Sequence, residues 1–403
     1  MFARLLHDFF GMGRRIVTAI DVGTYQVRIV VCEHVRGKDR YFPKIIGVGY
    51  AESKGLRHGY IINETDTVRS IASAVRQAEK ASGTKIKKAF ISIGGVGLDE
   101  IHSRGELVIP RADSEITDLD IANVLAKSEE NASAKTVNRK IIHAIPLWYK
   151  VDGQQILSQQ PIGLKGSKLE MESLFITCFE QHLNDLIAAV ENAGVEVEDV
   201  MASPLAASLV TLSKAQKIAG CVLANIGAET ISIVVFEDNI PISLKVFPVG
   251  STDITHDIAL GLKISLEEAE RIKLGALTNT TNYTKKQLDD IILGRLRDMF
   301  DLIEAHLKKM GKNGMLPAGI IITGGGSGVA TIEDLARVAL KLPSTLGNIR
   351  AGDQTKNIVR DSSWAVAYGL CIWGFTADDE PLGIRIARKT GGRLSAWIKQ
   401  FLP

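Results

Sequence analysis

Long apolar runs are missing from this 403-residue chain. None approaches the ~18–20 residues that cross a bilayer as a helix, so no helical membrane span is expected. The opening stretch, MFARLLHDFFGMGRR, is interrupted by Arg4, His7 and Asp8. It lacks the unbroken apolar core of a secretory leader, and a cytoplasmic location is expected. Cysteine is scarce. Cys32, Cys178, Cys221 and Cys371 stand far apart, with no C-x-x-C and no metal spacing. Each lies in or beside an apolar run, the pattern of buried free thiols in a reducing compartment. An excess of one charge is missing too. Lys and Arg number 48 against 46 Asp and Glu, a net charge of +2, so no nucleic-acid partner is expected. Two nucleotide fingerprints are absent. Without G-x-x-x-x-G-K-[ST] this is no P-loop protein, and no G-x-G-x-x-G opens an early βαβ unit, which disfavours a dinucleotide fold.

What is present is a repeat. RIVTAIDVGTYQVRIVVCEH, from Arg15, reads as strand, tight turn, strand, and GCVLANIGAETISIVVFEDN, from Gly220, reads the same way. Aligned, Asp21 falls on Asn225 and Gly23 on Gly227, and a third strand follows each pair, in KIIGVGY and ISLKVFPVG. Two copies of one unit suggest two related halves. Two unrelated hairpins would also give this pattern, because D-x-G turns are common. Helices intersperse the strands. The run from Glu64 has helical spacing and a glycine stop, and ASPLAASLVTL is a small-residue helix joining the halves. Ser265–Glu268 and Thr284–Gln287 fit the capping box, and Asp361 or Ser362 would cap the apolar run after it. The mixture predicts an α/β fold.

A nucleotide site needs backbone N–H groups close to phosphate oxygens, hence glycines in turns. Three candidates stand at strand ends: Asp21-Val-Gly-Thr24, Asn225-Ile-Gly-Ala-Glu-Thr230, and the glycines after GIIIT at Gly324, Gly325 and Gly326. Each turn alone is weak. Two opposed hairpin turns from duplicated halves plus a strand–GGG loop form the layout of the actin superfamily.

More specific are IHAIPLWYKVDGQQILSQQPIGLKGSKLEMESLFIT, FPVGSTDITHDIALGL, SLEEAERIKLGAL and GIIITGGGSGVATIEDLARVAL. Through these pieces the chain resembles the FtsA family of bacterial actin-like cell-division proteins, from about Ile16 to Phe375 and again at the C-terminal end. The resemblance implies an actin-like ATPase fold, two duplicated halves around a nucleotide cleft, with an inserted subdomain 1C of the SHS2 type. It implies this division: an N-terminal amphipathic extension at 1–15; subdomain 1A at 16–88, 173–204 and 356–377; 1C at 89–172; 2A at 205–270 and 315–355; 2B at 271–314; a linker at 378–392 and a membrane-targeting helix at 393–403.

The resemblance also assigns residues. Asp21 would approach Mg²⁺ through water. Gly23 and Thr24 would meet the β- and γ-phosphates of ATP, and Gly227, Ala228, Glu229 and Thr230 the other side. Glu270 and Lys273 match positions that hold ribose and adenine; read from spacing alone they are an exposed i,i+3 ion pair. Gly324, Gly325, Gly326 and Ser327 would pack against adenosine, and Gly250 would line the cleft. One departure bears on chemistry. The family's second phosphate turn usually reads D-I-G-G-G-T. Here Asn225 supplies no negative charge for a metal or an attacking water, and Ala228 and Glu229 carry Cβ atoms where glycines are usual. Glu229 is expected to place a like charge near the phosphates. ATP binding with slow or absent hydrolysis follows. A second departure is STLGNIRAGD after Pro343, where the family often has R-I-G-x-P.

The chain ends on an apolar stripe. Leu394, Trp397, Ile398, Phe401 and Leu402 lie at offsets 0, 3, 4, 7 and 8, with Arg393 and Lys399 outside the stripe, behind Gly391 and Gly392. No acidic residue follows Glu380, while five basic ones do. A basic amphipathic helix with a tryptophan suits an anionic bilayer interface, and the stripe matches the family's membrane-targeting helix. Docking on the body or on a partner helix is the alternative. Burying five such side chains yields roughly 8–15 kcal/mol. Ordering about ten residues costs on the order of 10–20 kcal/mol. One tail is therefore weak, and a filament presenting many would hold far better. Phe2, Leu5, Leu6, Phe9 and Phe10 repeat the same offsets before Gly11 and Gly13, so an auxiliary membrane contact or packing on the body is expected there.

The resemblance further implies polymerisation, other division proteins docking on 1C, and an FtsZ C-terminal peptide on 2B, with Arg295 and less securely Lys285 and Lys286 as its contacts. The place would be the cytoplasmic face of the cell membrane at the septum. A pilus-assembly actin homologue, a sugar kinase and a chaperone ATPase are rival readings of the same core. The sugar kinase lacks this insertion and tail, the pilus homologue carries a similar insertion but need not have the tail, and a chaperone ATPase would carry a peptide-binding domain where only 28 residues follow Phe375.

Overall fold

The computed structural model describes residues 15–36, 41–111, 113–156, 161–275, 283–329, 331–349 and 361–377. Both amphipathic stripes, including Leu394, Trp397, Ile398, Phe401, Leu402, Arg393 and Lys399, lie outside the described residues, as does the linker.

The described chain opens with strands β1 (Ile16–Val22), β2 (Gln26–Arg36) and β3 (Tyr41–Glu52), a short pair β4 (Leu56–Arg57) and β5 (Tyr60–Ile61), and helix α1 (Glu64–Ser82). Next come β6 (Lys88–Ile93), β7 (Asp99–Val108), α2 (Asp118–Ala132), β8 (Arg139–Val151), β9 (Gln154–Ile156), β10 (Lys168–Phe179), α3 (Glu180–Asn192), β11 (Glu196–Ala202), α4 (Ser203–Thr211) and α5 (Lys214–Ala219). The rest holds β12 (Cys221–Ile226), β13 (Ile231–Glu237), β14 (Ile240–Phe247), α6 (Ser251–Leu262), α7 (Leu266–Lys273), α8 (Lys285–Lys309), β15 (Ile320–Thr323), α9 (Ile332–Leu340), β16 (Ser344–Leu346) and α10 (Ala365–Ala377).

The repeat is a duplication in space. One sheet runs β11-β6-β1-β2-β3 and the other β14-β13-β12-β15-β16. In each half the first strand pairs antiparallel with the second and parallel with the fourth. In each half, too, the second strand pairs antiparallel with the third. The connecting turns also match. A Cβ on Gly23 would meet the Gln26 carbonyl at 3.0 Å, and one on Gly227 the Thr230 carbonyl at 3.1 Å. The β-branched runs explain the sheets: both faces are covered, so the strands read as near-continuous Val and Ile.

Alternation along β12 joins the halves. Cys221 and Leu223 pack into the core of the first half, while Val222, Ala224 and Ile226 pack into that of the second. Small α4, buried along nearly its whole length, packs against α10, β12 and β13 at the junction. Asn63 caps α1, and Gly83 ends it at a φ of 66°. Thr284 and Gln287 form the expected box on α8, and the Ser265 side chain caps α7 by accepting from the Glu268 N–H.

A third core belongs to the insertion, a sheet ordered β7-β10-β8-β9 with α2 against it. Its limits differ from 89–172. Strand β6 pairs with β1 and β11 and so belongs to the first half. Strand β10 pairs with β8 as far as Phe179, so Glu172 falls mid-strand. The end of β6 and the end of β10 are the physical boundaries, because hydrogen bonding changes sheets there.

Candidate nucleotide cleft

Between the halves lies a cleft of about 360 Å³. The two hairpin turns face each other across it. Asp21, Gly23 and Thr24 line one wall, Asn225, Gly227, Ala228 and Thr230 the other, and Gly324, Gly325 and Gly326 a third side. Glu270 and Lys273 close the end. The structure thus brings most of the expected residues together.

Asp21 sits near the end of β1 with only 9% of its surface exposed. Ser92 on β6 donates to its Oδ1 at 2.7 Å. Burial raises its pKa, and the Ser92 hydrogen bond and the Arg28 charge pull it back. Arg28 is registered directly across from Asp21 on β2 and lines the same cleft. Its guanidinium lies 5.8 Å from the Trp364 ring centre, and its buried Nε has no hydrogen-bond partner. Burial lowers its pKa while Asp21 and Asp361 hold it up. An orphaned cationic N–H in a glycine-walled cleft suits an anionic ligand.

Glu270 and Lys273 are not the exposed pair that spacing alone suggests. Lys273 is buried, its side chain only 6% exposed, at 2.7 Å from the Glu270 carboxylate. Its Nζ also donates to the Ser251 carbonyl at 3.1 Å and to Thr255 Oγ1 at 2.9 Å. Thr255 donates in turn to Glu270. Helix α7 is thereby bolted to the first turn of α6, and its one buried ammonium faces the cleft.

Three expected residues support the walls instead of lining them. Glu229 does not line the cleft. Its carboxylate accepts from the backbone N–H of His58, and its carbonyl lies 3.1 Å from His58 Nδ1. His58 is in the β4–β5 turn, so this contact ties the two halves together. Gly250 abuts the second turn: a Cβ there would stand 2.2 Å from the Ala228 carbonyl oxygen. Ser327 donates to the Gly324 carbonyl at 2.7 Å and lies 2.9 Å from Ser362 Oγ, which fastens the glycine loop to the start of α10.

Sequence reasoning missed Arg28, Ser92 and His58. Arg28 had a local signal: a lone cation inside an apolar strand, placed opposite Asp21 by a tight hairpin. Ser92 and His58 had none, since β6 and the β4–β5 turn reach the cleft only through tertiary packing.

On α8, Arg295 is committed within the chain. It forms a two-pronged pair with Asp257 at 2.7 and 2.9 Å, which raises its pKa. Lys285 and Lys286 are exposed at the start of that helix.

Known proteins bear on this architecture. Residues 222–369 match the family described as Cell division protein FtsA, and residues 96–177 match the SHS2 domain inserted in FtsA. The Cell division protein FtsA of Bacillus subtilis strain 168 is 30% identical over 377 residues, covering 88% of this chain and 82% of that one. The chain belongs to the FtsA family. The FtsA of Pseudomonas aeruginosa is 26% identical over 393 residues, covering 93% of this chain and 92% of its own length. Among solved structures, the PilM–PilN type IV pilus biogenesis complex matches with a TM-score of 0.65, 16% identity, and 90% and 99% coverage. MreB5 of Spiroplasma citri bound to AMPPNP matches at 0.51 and 13%, covering 91% and 97%. These likenesses establish the actin-like fold. The SHS2 match ends inside β10 and begins beyond β6, in keeping with the strand-defined boundaries of the FtsA insertion.

Proposed function

We propose that this FtsA-family chain binds ATP with Mg²⁺ in the central cleft, assembles into filaments, and tethers FtsZ polymers to the cytoplasmic face of the cell membrane at the division septum. One observation carries the nucleotide part: two matched glycine turns face each other in a cleft that also holds the buried cations Arg28 and Lys273. Backbone N–H groups from both turns suit phosphate oxygens and Arg28 offsets their charge, while Lys273, paired with Glu270, stands where the resemblance puts ribose and adenine. MreB5, of the same fold, is bound to AMPPNP in its solved structure. No group of three or more His, Cys, Asp or Glu that could hold a metal occurs among the described residues. Mg²⁺ would rest on phosphate oxygens and water, with the Asp21 carboxylate in the wall beside them.

Asn225 supports slow or absent hydrolysis, because no second carboxylate polarises a water at that wall. The membrane and FtsZ parts rest on the basic C-terminal stripe and on family membership. Lys285 and Lys286 offer exposed cations for the FtsZ C-terminal peptide. Arg295 would have to exchange its Asp257 partner for a peptide carboxylate, so its role there would be competitive. Other divisome proteins would dock on the insertion.

Titration of the purified full chain with a fluorescent ATP analogue tests the nucleotide reading. Saturable binding that weakens at least tenfold in Lys273→Ala supports it. Absence of binding with Mg²⁺ present refutes it. Pelleting with FtsZ C-terminal peptide and anionic vesicles then separates cell division from the pilus-assembly reading, whose solved relative matches in fold alone.

A further inference from the structure

We infer that Glu229 and His58 form a latch across the rim of the cleft and set the rate at which nucleotide enters and leaves it. This rests on the reading of the cleft as a nucleotide site.

Glu229 sits in the turn between β12 and β13 of the second half, and His58 in the turn between β4 and β5 of the first, 171 positions away. Glu229 grips His58 by two of its groups. Its carboxylate accepts from the His58 backbone N–H, and its carbonyl lies 3.1 Å from His58 Nδ1. A carbonyl only accepts, so Nδ1 carries the ring proton in this contact. Hydrogen bonds to a carboxylate are of the stronger, charge-assisted kind. The neighbours place the contact. Gly59 follows His58, Ala228 and Thr230 flank Glu229, and all three line the cleft. The latch therefore lies just outside the ligand space, at the rim.

Each side of the latch is braced by its own half. Behind Glu229, the Ser251 and Thr252 N–H groups at the start of α6 donate to the Gly227 and Ala228 carbonyls at 2.9 and 2.8 Å. Gly250 packs on Ala228 so closely that it has no room for a side chain. Behind His58 two backbones cross. A Cβ on Gly59 would stand 2.5 Å from Gly95 Cα, and the Val96 N–H donates to the His58 carbonyl at 3.2 Å. His58 is held at a φ of 49°, in the left-handed region that a residue with a side chain seldom occupies. Such a conformation persists where its surroundings over-determine it, and such positions cluster at clamps and switches. With both turns stiff, the halves part at this rim only when the latch breaks.

Parting of the walls admits and releases a ligand held between opposed turns. The latch does not line the ligand space, so it stabilises the closed body equally with and without nucleotide. Its loss then speeds entry and exit by the same factor and leaves affinity nearly constant. A residue in contact with nucleotide behaves otherwise, because its loss speeds exit alone. Glycine at 229, as in the usual D-I-G-G-G-T turn, would offer no carboxylate for this contact. The latch therefore belongs to this chain's variant of the turn.

The test uses the full chain and stopped-flow mixing with a fluorescent ATP analogue and Mg²⁺. Glu229→Ala is expected to raise the association and dissociation rates together, each about tenfold, the factor that goes with losing one hydrogen bond to a charged group. Kd stays nearly unchanged. Glu229→Gly, with the residue usual in that turn, gives the same result. Glu229→Gln keeps an oxygen for the His58 N–H and stays close to the original rates. Unchanged rates in both Glu229→Ala and Glu229→Gly overturn the inference, as does faster dissociation with unchanged association. Tighter binding in Glu229→Gln also overturns it, because the carboxylate then acts as a like charge near the phosphates. Absence of binding by the unaltered chain refutes the nucleotide reading itself.

Discussion

Single side chains decide the chemistry of the cleft. Asp21 and Asn225 are the same position in the two halves, one acidic and one neutral. Asn225→Asp is predicted to raise the ATPase rate several-fold without weakening ATP, measured by phosphate release. The Gly250→Ala methyl would press on the Ala228 carbonyl at 2.2 Å. Both backbones must shift, at about 1–3 kcal/mol. A lower melting temperature and weaker nucleotide binding are expected together, by calorimetry. His143 makes a pH prediction. It is fully buried and accepts from the Ala202 N–H at 3.1 Å, and burial lowers its pKa to about 3. The folded state resists the proton that an unfolded histidine takes up near its usual 6.5. Its contribution is therefore complete above about pH 6.5 and is lost as pH falls toward 3. Melting at pH 7 and pH 5 should show the loss, and His143→Gln should flatten that difference. At this scale the sequence was most legible where chemistry is local. Glycine turns and their flanking carboxylate declare themselves within four residues. Glu229 did not, because its partner His58 is 171 positions away and no periodicity couples them.

Whole elements carry the coupling between subdomains. Glu100 on β7 of the insertion accepts from Ser243 Oγ at 2.9 Å and from the Leu244 N–H on β14. Ser243 Oγ also lies 2.8 Å from His306 Nε2 on α8. Lys245 pairs with Asp99 at 3.1 Å beside them. The insertion is thus stitched to the second half through one strand edge. Glu100→Ala strands the Leu244 N–H, while Ser243 keeps His306, at a loss of about 1–3 kcal/mol. A lower melting temperature with unaltered ATP affinity is expected, because the joint lies outside the cleft. Strands and helices were readable from β-branched runs, caps and glycine stops. The edges of the insertion were not. Strands β6 and β10 look alike as sequence, and only pairing partners reveal that one belongs to the body and the other to the insert. The burial of Lys273 was equally hidden, since i,i+3 spacing fixes a neighbour on the helix and says nothing of the α6 turn packed over it.

At the scale of the molecule, duplication makes the site. Two copies of one strand order place two like turns face to face, and the core shared along β12 holds them in register. The insertion and the terminal stripes are additions to that frame. On the proposed function, a nucleotide-bound body aligns copies whose individual grip on lipid is weak. Co-sedimentation with phosphatidylglycerol vesicles over a dilution series, with ATP and Mg²⁺, tests it most directly. The account predicts a steep rise in the bound fraction at the concentration where the protein assembles, and no rise after removal of residues 391–403. A bound fraction that follows simple one-to-one saturation far below assembly, or that survives loss of the tail, would contradict it.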